Sequence, residues 1–296
     1  MLTLTFLGVG SAFAKRNLNS NALIEGWSKG PAKQASPDDS VLIDFGATGP
    51  KALHQIKDQV GFQYLDHHGR INYPAIRRVL ITHLHADHIG GLEELALMTR
   101  YGFADVGPPE ERRLELIGTA DVLSSLWEHS LKGGLGASDG RPAKIEDYFT
   151  VRTVHERGQG TPDRIRILDR YEISMFRTHH IEMTEQFDWP SYGLLITDPK
   201  TGETALFSGD TQFDPQGLGD MLAHARMIFH DVLLEDSQSP VHAPISALRT
   251  LPEEIRKKMI LYHFSDDWDG AQYDSVAKEF SGFAEPMRRY VLFDEV

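Results

Sequence analysis

The stretch ITHLHADHIGG (residues 81–91) places three imidazoles and one carboxylate within six consecutive residues. It continues the apolar run of residues 79–81, which is typical of a buried strand, and it ends in a glycine pair. His83 and His85 are two residues apart, so they can project to the same side of an extended segment. Asp87 and the third histidine would then lie on the turn that begins the next helix, where exposed N–H groups favour a carboxylate. First-row cations prefer such ligands, so the stretch predicts a metal site at the end of a strand.

The composition limits the chemistry of the rest of the chain. The 296 residues include no cysteine, which excludes disulfides, thiolate zinc sites and cysteine nucleophiles. Thirty basic residues stand against 43 acidic ones, for a formal net charge of −13. This balance disfavours the broad electropositive surface that a large nucleic acid requires, and it favours a small substrate.

Short runs with strand character recur along the chain, and helical patterns lie between several of them. The predicted strands cover residues 2–7, 21–25, 41–44, 79–82, 114–118, 173–178, 194–197, 204–208, 227–229 and 259–262. The predicted helices cover residues 91–100, 120–131, 220–225 and 245–251. No linker divides this mixed α/β chain, so we expect a single domain over residues 1–296. The glycine-rich stretch KGGLGASDG (132–140) predicts a mobile surface connection.

The N-terminal residues and the lengths of the apolar runs indicate the cellular location that we expect. Residues 1–7 alternate between apolar and polar side chains and lack a basic region, which indicates a first strand rather than a signal peptide. No apolar run approaches the ~18 residues of a membrane span. We therefore expect a soluble cytoplasmic protein with no membrane partner.

A resemblance to a known family extends over nearly the whole chain. HLHADH (83–88) resembles the H-x-H-x-D-H motif of the metallo-β-lactamase superfamily. The further motifs follow in that superfamily's order: VLIDFG (41–46), His179-His180, SGDT (208–211) and LYHFS (261–265). TFLGVGS (5–11), followed by Arg16-Asn17, is similar to the opening of the ribonuclease Z branch. The resemblance implies an α/β fold, the αβ/βα four-layer sandwich of two mixed sheets flanked by helices, and a two-metal hydrolytic centre.

The resemblance also implies a ligand set for two Zn²⁺ ions, with Mn²⁺ or another divalent cation as alternatives. The ligands of the two positions would be His83, His85 and His180 for one and Asp87, His88 and His263 for the other, with Asp210 bridging both. Asp44 would support the site without binding metal. His180 is preferred to His179 because it stands just before the apolar Ile181, although His179 stays open as the alternative.

Two segments resemble the leaving-group side of the ribonuclease Z site. IFHD (228–231) and VHAP (241–244) stand where that branch has His-Glu-Ala-Thr and His-Ser-Thr. The resemblance implies that His242 is a general acid, that Asp231 orients it, and that Asp87 has a catalytic role besides its ligand role. The chain departs from the pattern because aspartate replaces glutamate, with valine and leucine following it.

The substrate prediction rests on a narrower resemblance. The region 152–170 is too short and too mixed in charge to resemble the basic arm with which ribonuclease Z grips transfer RNA. RYGF (100–103), LWE (126–128) and WPSYG (189–193) are similar to cyclic nucleotide phosphodiesterases of the anti-Pycsar type. The resemblance implies hydrolysis of 3′,5′-cyclic mononucleotides such as cCMP and cUMP by a dimetal-bound hydroxide, an anti-defence role and a homodimer.

Other readings of the sequence stay open. A transfer RNA 3′-processing endonuclease is the main alternative, and the metal motifs by themselves would also suit a lactonase or a lactamase. A non-catalytic binding module would not need the complete ligand set. Four aromatic side chains can either stack on a nucleobase or simply pack in the core: Phe13, Trp189, Tyr192 and Trp268.

Overall fold

The computed structural model describes residues 1–158, 163–181, 188–235 and 241–294. Its strands are β1 (Leu2–Gly8), β2 (Asn21–Gly26), β3 (Asp39–Ile43), β4 (Asp66–His67), β5 (Arg70–Ile71), β6 (Arg78–Leu80), β7 (Leu114–Gly118), β8 (Ala137–Ser138), β9 (Arg141–Pro142), β10 (Phe149–Thr153), β11 (Ile165–Ile167), β12 (Tyr171–Arg177), β13 (Tyr192–Thr197), β14 (Thr204–Phe207), β15 (Met227–Asp231), β16 (Met259–Tyr262), β17 (Gly282–Phe283) and β18 (Arg289–Phe293). The α-helices are α1 (Gly49–Ile56), α2 (Ala86–Ile89), α3 (Leu92–Tyr101), α4 (Ala120–Leu126), α5 (Lys132–Leu135), α6 (Gly219–His224), α7 (Ile245–Leu248), α8 (Glu253–Arg256) and α9 (Val276–Glu279). Among the described helices, none has the length and apolar character that a membrane span would need.

Two large mixed sheets form in the described chain. The first has the strand order β10-β7-β6-β3-β2-β1-β18, and the second has the order β11-β12-β13-β14-β15-β16-β17. Each sheet is antiparallel over one half and parallel over the other, the parallel strands being β3, β6, β7 and β10 in the first and β14 to β17 in the second. The prediction of two mixed sheets flanked by helices is confirmed.

An aromatic core joins the two sheets. The Phe6 ring of β1 lies 5.5 Å from the Phe229 ring and 5.2 Å from the Tyr262 ring, both of which belong to the second sheet. Helices α1 and α4 pack on the first sheet, whereas α6 and α9 pack on the second. The strands are buried because sheet and helix layers cover them, which explains why β1, β2 and β16 contain only buried residues.

Strand direction brings the ends of both sheets to one edge. Strands β14, β15 and β16 run parallel, so their C-terminal ends lie together, and β12 points the same way because two antiparallel steps separate it from β14. The His263 N–H after β16 donates a hydrogen bond of 2.8 Å to the Val9 carbonyl after β1. The Ser11 N–H donates one of 3.0 Å to the Phe264 carbonyl. These bonds join the two sheets at this edge.

The sequence predicted most of the sheet but not its margins. Predicted strands 114–118 and 259–262 have the observed bounds of β7 and β16, whereas β10, β11, β17 and β18 were missed. The stretch 132–140 was predicted as an irregular connection, which is wrong: it forms α5 and then β8, which pairs with β9. The predicted helix 120–131 begins as α4 and continues as the π-helix Trp127–Leu131.

Candidate metal centre

Six side chains surround one buried carboxylate, Asp210, at the shared edge. Ligand atoms within 4.8 Å of one another form two groups: His83, His85, His180 and Asp210, and Asp87, His88, Asp210 and His263. Asp210 belongs to both groups. Its Oδ2 lies 3.3 Å from Nε2 of His88 and 3.4 Å from Nε2 of His263. The same oxygen lies 3.7 Å from Nε2 of His83, so the structure gathers every predicted ligand around Asp210.

The turn after β6 positions the contiguous ligands. The chain is extended at His85 and then enters α2, whose first turn contains Asp87. Gly46 allows this turn to approach, because a Cβ atom there would lie 1.8 Å from the Asp87 carbonyl oxygen. Backbone bonds hold the contact, including one of 2.6 Å from the Phe45 N–H to the His88 carbonyl. The glycine is therefore a steric requirement for the position of Asp87 and His88.

Asp44 orients His88 through Nδ1, the ring nitrogen that does not face Asp210. Its Oδ2 accepts a hydrogen bond of 2.7 Å from Nδ1 of His88, and the Thr82 N–H and hydroxyl donate to the same carboxylate at 2.8 and 2.7 Å. With Nδ1 engaged in this way, Nε2 of His88 is left to face Asp210 and Asp87. Asp44 and His263 have φ of +57° and +65°, which belong to the left-handed region. The structure thus places Asp44 where the sequence predicted it, behind the ligands.

The structure distinguishes the two adjacent histidines. His180 is buried, and its Nδ1 donates to the Val241 carbonyl at 2.8 Å while Nε2 lies 3.1 Å from Nδ1 of His85. Burial lowers the pKa of His180 to about 4, which favours the neutral, metal-binding imidazole. The His179 side chain is 68% exposed and lies 3.6 Å from Asp214, outside both groups.

The chemistry of the donor atoms fits divalent cations. Both carboxylate oxygens of Asp210 and Nε2 of His88 are buried with no hydrogen-bond partner in the described chain. Nδ1 of His85 lies 3.1 Å from Nε2 of His83, close to the edge of about 3.3 Å expected between tetrahedral ligands of one Zn²⁺. Such uncompensated polar atoms are costly unless a cation meets them.

The charges around His88 also favour a bound cation. Burial opposes a charge on this imidazole, but the carboxylates of Asp210, Asp87 and Asp44 outweigh burial and raise its pKa well above the usual range. The three carboxylates therefore favour a positive charge where Nε2 meets Asp210 and Asp87. A metal cation can supply that charge in place of a proton.

A second pair lies against the ligand groups. Nδ1 of His242 donates a hydrogen bond of 2.8 Å to Oδ2 of Asp231, and the same nitrogen lies 3.9 Å from Asp210. The Thr211 N–H donates to the same oxygen of Asp231 at 3.1 Å, and Nδ1 of His230 lies 3.2 Å from the other oxygen. Burial lowers the pKa of His242, but the hydrogen bond to Asp231 and the charges of Asp210 and Asp231 together outweigh burial and raise it. The pair can hold a proton beside the metal centre.

The four aromatic candidates have different surroundings. The Trp189 ring lies 5.5 Å from the His85 ring, whereas Phe13 is 88% exposed. Tyr192 is buried and its hydroxyl donates to Asp121 at 3.1 Å. Trp268 packs on the rings of Phe264 and Phe283, 5.6 and 5.5 Å away. Tyr192 and Trp268 thus belong to the packing of the fold, and Trp189 is the candidate that contacts a ligand.

Sequence reasoning missed the groups that support the ligands. Thr82 holds Asp44, the Val241 carbonyl holds His180, and the Thr211 N–H holds Asp231. Two of these three groups belong to the backbone. Every residue has a backbone carbonyl, and nearly every residue has an N–H, so the type of residue does not reveal such contacts. Only Thr82 had a local signal, because it stands directly before the first ligand.

Comparisons with known proteins extend over the whole chain. The family model described as "Anti-Pycsar protein Apyc1" matches residues 2–290. The anti-Pycsar protein Apyc1 of Paenibacillus sp. (strain J14) is 34% identical over 270 residues, which are 90% of this chain and 91% of the relative. That of Bacillus phage vB_BsuM-Goe3 is 32% identical in an alignment of length 299 that covers 98% of each chain.

Solved structures show the same fold. The metallo-β-lactamase fold protein YhfI from Bacillus subtilis superposes with a TM-score of 0.65 at 15% identity, over 98% of each chain. The short form of human tRNase Z superposes with a TM-score of 0.60 at 19% identity, over 99% of this chain and 100% of the other. The described sheets and helices therefore form the metallo-β-lactamase fold that the sequence motifs predicted.

Proposed function

Because the chain belongs to the family of the anti-Pycsar protein Apyc1, we propose that it is a metal-dependent phosphodiesterase that hydrolyses small 3′,5′-cyclic nucleotides. Cyclic pyrimidine mononucleotides, cCMP and cUMP, are the proposed substrates, and removal of such a defence signal is the proposed role. The observation that carries the proposal is the position of Asp210, which is shared by two ligand groups and borders the His242–Asp231 pair.

Each part of the site has a separate task in this reaction. Two divalent cations, Zn²⁺ or Mn²⁺, would activate a water molecule and offset the negative charge of the phosphodiester. His83, His85 and His180 would hold one cation, Asp87, His88 and His263 would hold the other, and Asp210 would contact both. Oδ2 of Asp87 lies 3.1 Å from Nε2 of His263, so these two atoms are close enough to bind the same cation.

The chain itself would supply the proton for the leaving group. As the water oxygen bonds to phosphorus, the bond to one ribose oxygen breaks and that oxygen needs a proton. His242 is the proposed donor, because Asp231 holds its imidazole in one orientation and favours the charged form. Asp231 is a positioning residue here, since its Oδ2 is already occupied by His242 and by the Thr211 N–H.

The charges in the region 152–170 support a small substrate over transfer RNA. Arg152 lies 3.9 Å from Glu115, and Arg170 lies 2.6 Å from Asp198. Arg164 and Arg166 both pair with Glu172. Cations that are already paired with carboxylates release fewer counterions from a polyanion, which weakens binding to a long nucleic acid.

The proposal is tested by one panel assay on the purified, metal-loaded protein. Substrates are the four common 3′,5′-cyclic mononucleotides, a cyclic dinucleotide and a precursor transfer RNA with a 3′ trailer. We expect release of 5′ or 3′ mononucleotides from cyclic pyrimidine nucleotides, and no activity in Asp210→Asn, which removes the shared ligand charge. Cleavage of the precursor alone would establish the alternative, a transfer RNA 3′-processing endonuclease.

The proposal also covers the domain organisation, the oligomeric state and the cellular location of the protein. We propose that residues 1–296 form one domain and that the active species is a homodimer in the cytoplasm. Light scattering coupled to gel filtration measures the mass directly. A mass of 33.3 kDa, that of one chain, would contradict the dimer.

A further inference from the structure

A separate group of ligand-type side chains lies at the β4–β5 hairpin, away from the metal centre. His67 and His68 are at its tip, and Asp105 belongs to the segment that follows α3. One nitrogen or oxygen from each of the three lies within 4.8 Å of the others. The reaction proposed above uses none of these side chains.

The turn of the hairpin brings the two imidazoles together. His67 pairs with Arg70, so His68 and Gly69 form a two-residue loop, with φ of +53° and +83°. These values belong to a type I′ turn, in which asparagine or aspartate usually precedes the glycine. Histidine is less usual than asparagine at this turn position, and here its ring lies 4.7 Å from the ring of His67.

The hairpin is held against the segment that contains Asp105. Nε2 of His67 lies 2.8 Å from Oδ2 of Asp105, and the His67 ring lies 5.4 Å from the Phe103 ring. Arg70 donates to the Gly102 carbonyl at 2.9 Å and stacks on Phe103 at 5.2 Å. Two structural elements thus fix the positions of the three side chains relative to each other.

We propose that His67, His68 and Asp105 form a third divalent-cation site, which takes Zn²⁺ or a similar first-row cation from solution. Two imidazoles and one carboxylate suit these cations, whereas Mg²⁺ and Ca²⁺ prefer oxygen ligands alone. The Asp105 side chain is 53% exposed, so water can complete the coordination sphere.

The contacts of the site predict how it binds. The 2.8 Å contact between His67 and Asp105 requires a proton, and a cation between the two groups displaces it. Arg70 lies 3.9 Å from Oδ1 of Asp105, and its positive charge weakens the affinity for a dication. This site therefore binds a cation with lower affinity than the buried centre. A bound cation links the hairpin to the segment after α3.

Zinc titration of the untagged protein, already loaded at its buried centre, tests the proposal. Equilibrium dialysis should find one further equivalent of Zn²⁺ in the wild type. His68→Asn should bind that equivalent at least tenfold more weakly, because it removes one imidazole while asparagine-glycine keeps the type I′ turn. His54→Asn is the matched control, since His54 is an exposed histidine on α1 outside the cation-binding groups of the described chain.

A second measurement separates binding from a change in the fold. Added Zn²⁺ should raise the melting temperature of the wild type and of His54→Asn but not that of His68→Asn. The buried metal content and the catalytic rate of His68→Asn should equal those of the wild type, so the result does not depend on the proposed phosphodiesterase activity. Unchanged zinc affinity in His68→Asn, or no further equivalent in the wild type, would overturn the proposal.

Discussion

Asp210 is the residue on which the metal centre depends most. It is buried, five imidazoles have a nitrogen within 3.9 Å of its Oδ2, and both of its oxygens lack a hydrogen-bond donor in the described chain. Burial would raise its pKa, but the charges of His263 and His88 outweigh burial and hold the pKa well below the ordinary value. A carboxylate kept ionised in this position attracts cations from both sides, which is why the loss of one charge should affect both ligand groups.

His242 gives a prediction at the residue scale. His242→Asn should lower kcat by about 10²- to 10⁴-fold, because asparagine cannot deliver a proton to the leaving oxygen. The metal content should stay unchanged, as measured by elemental analysis of the dialysed protein. His179→Asn is the control and should have the wild-type rate, since that side chain is 68% exposed. A loss of metal in His242→Asn would instead make His242 a ligand.

The aromatic residues give a second prediction at this scale. The Trp189 ring lies 5.5 Å from the His85 ring, next to one group of candidate ligands. If it stacks on the nucleobase, Trp189→Ala should raise KM about 10-fold or more with a smaller change in kcat, since stacking is worth about 1–3 kcal/mol. Trp189→Phe should recover most of the loss. Steady-state kinetics with cCMP measures both, and an unchanged KM would exclude stacking.

At the scale of elements, the centre depends on how closely α2 approaches the loop after β3. The Ala47 N–H donates to the Ala86 carbonyl at 3.0 Å and the Gly91 N–H to the Phe45 carbonyl at 2.8 Å, so backbone bonds join the two segments. The Asn21 side chain spans them, accepting from the Gly46 N–H at 3.1 Å. Two candidate ligands on α2 are therefore placed by a neighbouring loop rather than by helix propensity.

Gly46→Ala tests this dependence. The added methyl group would overlap the Asp87 carbonyl oxygen, which is backbone and cannot rotate away. We expect a loss of about 3 kcal/mol in stability, at the upper end for overpacking, and a lower metal content. Gly133→Ala on α5 is the control, because no atom lies within 4 Å of its new Cβ. Wild-type metal content in Gly46→Ala would show that the loop can adjust.

The last strand is attached to the first sheet by a buried ion pair. Arg289 of β18 donates to both oxygens of Glu25 on β2 at 2.9 and 3.1 Å, and the Tyr64 hydroxyl donates to Glu25 at 2.7 Å. The guanidinium also stacks on Phe62 at 4.1 Å. Since Glu25 is fully buried, these partners take the place of water around its carboxylate.

Arg289→Met should lower the free energy of unfolding by about 3–5 kcal/mol, because it leaves the Glu25 carboxylate buried without its cation. Arg288→Met is a close control, as Arg288 forms an exposed ion pair with Glu285. Urea denaturation measures both variants. A difference below about 1 kcal/mol between them would mean that the hydroxyls of Tyr64 and Thr5, which donate to Glu25 at 2.7 and 3.4 Å, suffice to hold the carboxylate.

At the scale of the whole molecule, two sheets bring their strand ends to one edge. Ligands follow β6, β12, β14 and β16, which belong to different sheets but end together because of their directions. Bound cations would therefore connect the two sheets as well as perform chemistry. The uncompensated oxygens of Asp210 add a cost to the metal-free state.

Removal of metal should accordingly lower the stability of the whole molecule. A cation present at 1,000 times its Kd stabilises the folded state by about 4.1 kcal/mol. Chelation should lower the melting temperature by roughly 8–16 °C, as followed by calorimetry, at about 2–4 °C for each kcal/mol. Asp210→Asn should respond far less to the chelator. If chelation lowers the melting temperature of the wild type and of Asp210→Asn equally, the stabilising cation is bound outside this centre.

The sequence predicted the candidate ligands better than the groups that hold them in place. His83, His85, Asp87 and His88 are contiguous, so a local pattern revealed them, and the resemblance supplied His180, Asp210 and His263. The strands β10, β11 and β18 were missed because edge strands are partly exposed and carry a weaker apolar pattern, as in β10. Glu25 and Arg289 are 264 residues apart, and no local pattern connects them.

The sequence by itself determined the chemistry of the centre, since a chain without cysteine must bind metal through imidazole and carboxylate groups. It also determined the order of the motifs and therefore the fold. The tertiary structure decided that His180 rather than His179 faces the other ligands, that Asp44 and His263 take left-handed backbone angles, and that Asp231 holds His242. The side chains of adjacent residues such as His179 and His180 point in opposite directions where the chain is extended. Only the packing of the second sheet determines which of the two directions is the interior.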